Sequence, residues 1–134
     1  MTLVRVAALA HLLCSMAVMG FQLALAFGAP LGAYAMGGRY GGTLPLALRL
    51  AEVVQASVVA IVTAVVVAAS GLGLRGWRRA ADRVRWLPVG FAGVAFVLNL
   101  ATPSAGERLV WAPVAAVLLA SSLCVALSAP VARG

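Results

Sequence analysis

Residues 46–69 read LALRLAEVVQASVVAIVTAVVVAA. Arg49 and Glu52 are the only charges in this stretch, and both fall near its start. A bilayer core about 30 Å thick is crossed by roughly 20 apolar residues in a helix, so the stretch predicts a membrane-spanning helix with residues to spare. Outward from it lie three more apolar runs, at 6–27, 87–102 and 109–129. The first and last are long enough to cross, and the third is short. Of the 134 residues, 64% are hydrophobic and 10% are charged, where a soluble domain carries roughly a quarter charged. That composition excludes an ordinary soluble globule, and it excludes disorder, which needs low hydrophobicity and many charges. The expectation is one integral membrane domain over residues 1–134, all-α, an antiparallel four-helix transmembrane bundle.

The joints between runs carry turn chemistry. Residues 28–45 hold six glycines and two prolines, which reads as a Gly-rich outer loop. Gly71-Leu72-Gly73 ends the second run, and a basic loop follows over 71–86. Pro103-Ser104-Ala105-Gly106 is a short turn, so the third and fourth helices are predicted to be antiparallel neighbours. Ser104 three residues before Glu107 fits a capping box.

The formal charge is +7, and every basic residue is Arg. These arginines flank apolar runs instead of forming a nucleic-acid-binding patch, so no nucleic-acid partner is expected. Arg5, Arg75, Arg78, Arg79, Arg83, Arg85 and Arg133 fall on one side of the expected bundle, and Arg39, Arg49 and Arg108 on the other. The excess marks the cytoplasmic side, which predicts a multi-pass protein of the bacterial cytoplasmic membrane with both termini cytoplasmic. Arg75, Arg78, Arg79, Arg83 and Arg85, with Trp77, Ala81 and Val84 on one face, predict an amphipathic segment drawn to anionic lipid on the inner leaflet. Asp82 can pair there with Arg78 or Arg79. Ala24-Leu25-Ala26 has the form of a cleavage site, but the apolar stretch before it is longer than a signal core of about 7–15 residues, so the first run is expected to stay as a span. Cys14 and Cys124 sit in apolar runs without a C-x-x-C and read as small buried residues.

Helical periodicity assigns inward faces. His11, Ser15, Val18 and Gln22 share a stripe in the first run. Arg49, Glu52, Ala56, Ala60 and Thr63 share one in the second, and Pro88, Ala92, Ala95 and Asn99 one in the third. In the fourth, Ala112, Ala116 and Ala120 recur every fourth position. Small and polar residues face neighbouring helices in a membrane. The stripes therefore bring Gln22, Arg49, Glu52 and Asn99 together at the outer end, with Gln55 at the edge. Glu52 is either an interfacial partner of Arg49, if the span begins at Val53, or a buried ionisable group, which in a membrane is a functional candidate by default. There is no catalytic triad, metal cluster or phosphate loop, and no cofactor is expected.

The ordered pieces Gly28-Ala29-Pro30-x-Gly32, Gly37-Gly38-Arg39, Leu44-Pro45-x-x-x-Arg49, Asn99, Thr102-Pro103-Ser104-x-x-Glu107-Arg108 and Trp111-x-Pro113-Val114 resemble uncharacterised small four-helix integral membrane proteins of high-GC, actinobacterial bacteria. The resemblance implies membrane location and four spans, and no reaction. The leading expectation is a non-enzymatic accessory or structural membrane component, alone or with a membrane-protein partner or further copies of itself. A second is a small oligomeric transporter or exporter using Glu52. Compact exporters of similar size carry their Glu in the first span, where this chain has Gln22. A third is a membrane enzyme on a small lipid or isoprenoid with Glu52 and His11 as acid and base, which their different depths oppose.

Overall fold

A computed structural model describes residues 1–128; Ala129, the last residue of the fourth expected span, and Arg133 lie outside the described residues. The described residues form five α-helices and three short 3-10 turns, with no strand. They are α1 (Leu3–Ala26), α2 (Leu46–Ser70), α3 (Arg78–Val84), α4 (Leu87–Ala101) and α5 (Ala105–Ser128). At 1.5 Å per residue, α1, α2 and α5 are each about 36 Å long. All three are long and apolar enough to cross a membrane. Helix α4 has 15 residues, about 22 Å. It meets the segment Arg75–Val84 at a bend of 63°, and the two pass as a fourth crossing only if taken together.

The helix boundaries have local causes. Thr2 caps α1 by accepting the Arg5 N–H. Gly71 closes α2 in the left-handed conformation, φ 72°, which a glycine adopts without strain. The Ser104 hydroxyl accepts the Glu107 N–H at 3.1 Å, so α5 begins at Ala105, four residues before the apolar run. The amphipathic segment expected over 75–86 is shorter. It is a 3-10 turn at Arg75–Trp77 followed by α3, with Ala81 buried and Trp77 70% exposed. Asp82 does not pair with Arg78 or Arg79, and its Oδ1 has no hydrogen-bond partner.

Helix α1 lies between α2 and α5, α4 packs on α5, and α3 tucks against α2. Residues between the helices are mostly small or polar: Ala8, His11, Ser15, Ala56, Ala92, Ala112, Ala115, Ser121 and Ser122 are all buried. The large apolar side chains point out, among them Leu13, Ile61, Val94, Leu98 and Leu109. A water-soluble protein shows the opposite distribution; close approach of small residues with bulky aliphatics outside suits helices surrounded by lipid.

Two of the expected stripes are corrected. Ala60 and Ala120 are exposed. Four residues turn a helix by about 400°, so an every-fourth stripe drifts some 40° per step and leaves the interface within a few turns. The buried lines alternate threes and fours instead: Ala8, His11, Ser15, Gln22, Leu25 on α1 and Glu52, Ala56, Val59, Thr63, Val66 on α2.

Two apolar clusters tie the ends. At the arginine-rich end Ala8, Val66, Ala69, Ala81 and Val125 pack together. At the loop end Leu25, Ala35 and Leu44 do so, with Phe21 and Tyr40 against them. The Gly-rich loop folds into two 3-10 turns, at Gly32–Tyr34 and Met36–Gly38. Gly32 donates its N–H to the Gly42 carbonyl at 3.0 Å, and a Cβ on Gly32 would collide with the carbonyl oxygens of Tyr40 and Gly42. Gly32→Ala is therefore expected to lower stability by about 1–3 kcal/mol, the usual cost of overpacking. Gly41→Ala, with open space around its Cβ position, serves as control. Thermal melting of both in detergent checks this, and equal melting temperatures would refute it.

Candidate functional site

At the loop end, α1, α2, α4 and α5 enclose a cavity of about 430 Å³, roofed by Tyr34, Ala35 and Met36 of the loop. Its wall is mostly apolar, with Phe21, Val59, Phe91, Leu98, Trp111 and Leu118 among its members. Phe21 and Trp111 pack with ring centroids 4.6 Å apart, and the Trp111 indole N–H donates to the Tyr34 carbonyl at 3.0 Å. Contact between α2 and α4 is slight beside the contacts of α1 with α2 and of α4 with α5. The lining residues Gln55, Phe91, Val94 and Leu98 are exposed. The cavity therefore opens sideways, between α2 and α4, where a lipid-embedded bundle faces acyl chains.

Gln22, Glu52, Gln55 and Asn99 all line this cavity. Ala8 and Val66 share one apolar cluster, and Gln22 and Glu52 are each fourteen positions further toward the loop end on their own helices. The two side chains thus stand at one height on α1 and α2. Glu52 is 3% exposed, and its carboxylate makes no hydrogen bond or ion pair among the described residues. Gln22 is 8% exposed, and its Oε1 has no hydrogen-bond partner. Asn99 is half-buried, and its Nδ2 donates to the Ala95 carbonyl at 2.8 Å. Gln55 stands at the exposed rim.

Arg49 is not in the wall. Its Nε donates to the Ala26 carbonyl at 2.8 Å, beside Gly28, where the C-terminal carbonyls of α1 favour a cation. The interfacial Arg49–Glu52 pair is therefore corrected: Arg49 ties α2 to the end of α1 and leaves Glu52 uncompensated.

Glu107, read from sequence as a helix-start residue, also lines the cavity. Its Oε2 accepts from the Gly37 N–H at 2.9 Å and from the Thr102 hydroxyl at 2.8 Å. It thus pins the loop roof to the α4–α5 turn, and the Ser104 hydroxyl adds a bond to the Ala33 carbonyl at 3.0 Å. The capping pattern pointed to Ser104 and Glu107. Nothing in it pointed to Gly37, seventy residues away.

At the other end, Arg5, Arg75 and Arg78 border an open depression with Thr2 and Ser70. Arg79 and Arg83 are exposed, and Arg85 is half-buried with its Nε unpartnered. His11 lies deeper, 2% exposed, with Nδ1 3.0 Å from the Ser121 hydroxyl. It is eleven positions from Gln22 on α1, about 16 Å along the axis, so His11 and Glu52 do not act together on one bond. No group of three or more His, Cys, Asp or Glu able to hold a metal occurs among the described residues. Cys14 and Cys124 are free thiols.

An apolar, aromatic-walled chamber with one unpaired carboxylate and a neighbouring amide suits a bulky apolar body bearing positive charge. Compared with known protein families, curated proteins and solved structures, the chain matches none.

Proposed function

We propose that this chain is a carrier of lipophilic cations in the bacterial cytoplasmic membrane, an antiparallel four-helix bundle in which α1, α2, α4 and α5 cross and both termini face the cytoplasm. Glu52 is the counter-ion of the cargo. The observation that carries this reading is Glu52, a residue 3% exposed whose carboxylate has no partner among the described residues, in the wall of a cavity of about 430 Å³ that opens sideways. A buried carboxylate without a partner is costly, and a protein has reason to keep one where a cation comes and goes. The side opening admits molecules already dissolved in the bilayer. Phe21, Trp111 and Phe91 line the cavity and supply aromatic rings for cation–π contact. An accessory or structural role, the leading expectation from sequence, gives no account of the unpaired carboxylate.

Arginine placement supports the orientation, and the five arginines from Arg75 to Arg85 suit anionic lipid on the inner leaflet.

Tetraphenylphosphonium and tetraphenylborate have nearly the same shape and opposite charge, and calorimetry with the detergent-purified protein separates them. Tetraphenylphosphonium is expected to bind and tetraphenylborate to fail. Equal binding of the two ions, or binding of neither, would overturn the proposal.

A further inference from the structure

Beneath the apolar floor of the cavity, where Val59 and Leu118 line it, lies a buried polar layer. Layers can be counted from the cluster that joins Ala8, Val66 and Val125. One turn toward the loop end stand His11, Thr63 and Ser121 with Ser122. The next turn holds Ser15, Val59 and Leu118, of which Val59 and Leu118 line the cavity. All of these polar side chains are at most 6% exposed. The His11 ring is bonded to the Ser121 hydroxyl at 3.0 Å, and that hydroxyl donates to the Leu118 carbonyl at 3.1 Å. This pattern assigns the neutral ring's proton to Nδ1 and leaves Nε2 as an acceptor. Ser15 Oγ and Thr63 Oγ1 have no partner at all. Buried hydroxyls left in this way are satisfied in proteins by water.

We infer that His11, Ser15 and Thr63 form a proton route from the arginine-rich end to Glu52, with Ser121 orienting the His11 ring. This rests on the reading of Glu52 as the carrier's charged group. Water held by Ser15 and Thr63 links the imidazole to the cavity floor. A proton taken up at Nε2 of His11 passes through that water and ends on the Glu52 carboxylate. Glu52 becomes a neutral carboxylic acid, and one bound cation loses its counter-ion and leaves, so one positive charge replaces another. A dry layer, the cluster of Ala8, Val66, Ala69, Ala81 and Val125, separates His11 from the depression bordered by Arg5 and Arg78. While it stays closed it holds the uncoupled proton leak low.

The other titratable groups are few. Near His11 they are Cys14 on α1 and Cys124 on α5, both half-buried, with none on α2 at that height and Arg5 beyond the dry layer. Near Glu52 they are Glu107 and Tyr34 in the cavity wall, and Arg49, held to Ala26.

The test needs no cargo. Dicyclohexylcarbodiimide modifies protonated carboxyls in apolar surroundings, and peptide mass mapping reads the adduct on Glu52. In native membrane vesicles with different pH on the two sides, labelling of wild-type Glu52 is expected to rise when the side facing the arginine-rich end is acidified. The double variant Ser15→Ala/Thr63→Val keeps shape, removes the two orphan hydroxyls and is expected to melt no lower than wild type. It should slow the response to that side by at least about tenfold, roughly 1.4 kcal/mol in barrier. His11→Asn should do the same. Labelling in wild type that follows only the opposite side, no labelling at any pH, or a response unchanged in the double variant and in His11→Asn would overturn the route. Failure of tetraphenylphosphonium to bind, with the labelling result intact, would overturn the cargo and leave the route standing.

Discussion

Glu52→Gln is expected to weaken tetraphenylphosphonium binding by roughly 30-fold or more while leaving the melting temperature unchanged or raised. The two halves of this outcome have separate causes. A desolvated charge pair that loses one partner typically costs about 2–5 kcal/mol, and each 1.4 kcal/mol is a factor of ten. Stability moves the other way because the Glu52 carboxylate has no partner in the empty protein. Gln keeps the volume and a hydrogen-bonding amide and removes a buried charge, a cost of protein folding and insertion that the native chain bears. Calorimetry and thermal melting on the same detergent preparation measure both halves. Wild-type affinity in the variant would remove Glu52 from the site. A large fall in melting temperature would make it a structural residue with a partner.

The second large effect is expected at Leu25. Its side chain is fully buried, packed with Ala35 and Leu44 and flanked by Phe21, Met36, Tyr40 and Leu48. It joins the end of α1 to the loop that roofs the cavity and to the start of α2. Truncating a buried Leu to Ala costs about 2–5 kcal/mol, depending on how far the neighbours collapse into the space. Leu25→Ala should therefore melt well below wild type. Leu23→Ala, on the same helix at a residue 41% exposed, should cost little. A drop at Leu25 no greater than that at Leu23 would show that the loop is not held by this cluster.

Composition and periodicity alone determined that the chain is helical, where each long apolar helix begins and ends to within a few residues, and that His11, Ser15 and Gln22 of α1 turn inward, while the buried Ala8 and Leu25 lay outside the stripe. Length and hydropathy suffice for this, because a membrane helix satisfies its backbone within itself. Gln22, Glu52 and Asn99 read from sequence as one polar group for the same reason, that polar groups on a lipid-facing helix have one favourable direction to point; the structure places all three in the wall of one cavity. Tertiary structure alone decided the partners. Arg49 is three residues from Glu52 and reads as its ion pair, yet the carbonyl of Ala26, from another helix, takes its Nε. Glu107 reads as a cap, yet the amide of Gly37 reaches it across the fold. The stripes through Ala60 and Ala120 failed because steps of four drift about 40° each around a helix, and how far an interface follows that drift depends on the helix crossing, which no single helix encodes. The slight contact between α2 and α4, which opens the cavity, is likewise a property of four helices together. Local pattern fixes which groups are costly to leave facing lipid; only packing decides what they meet instead.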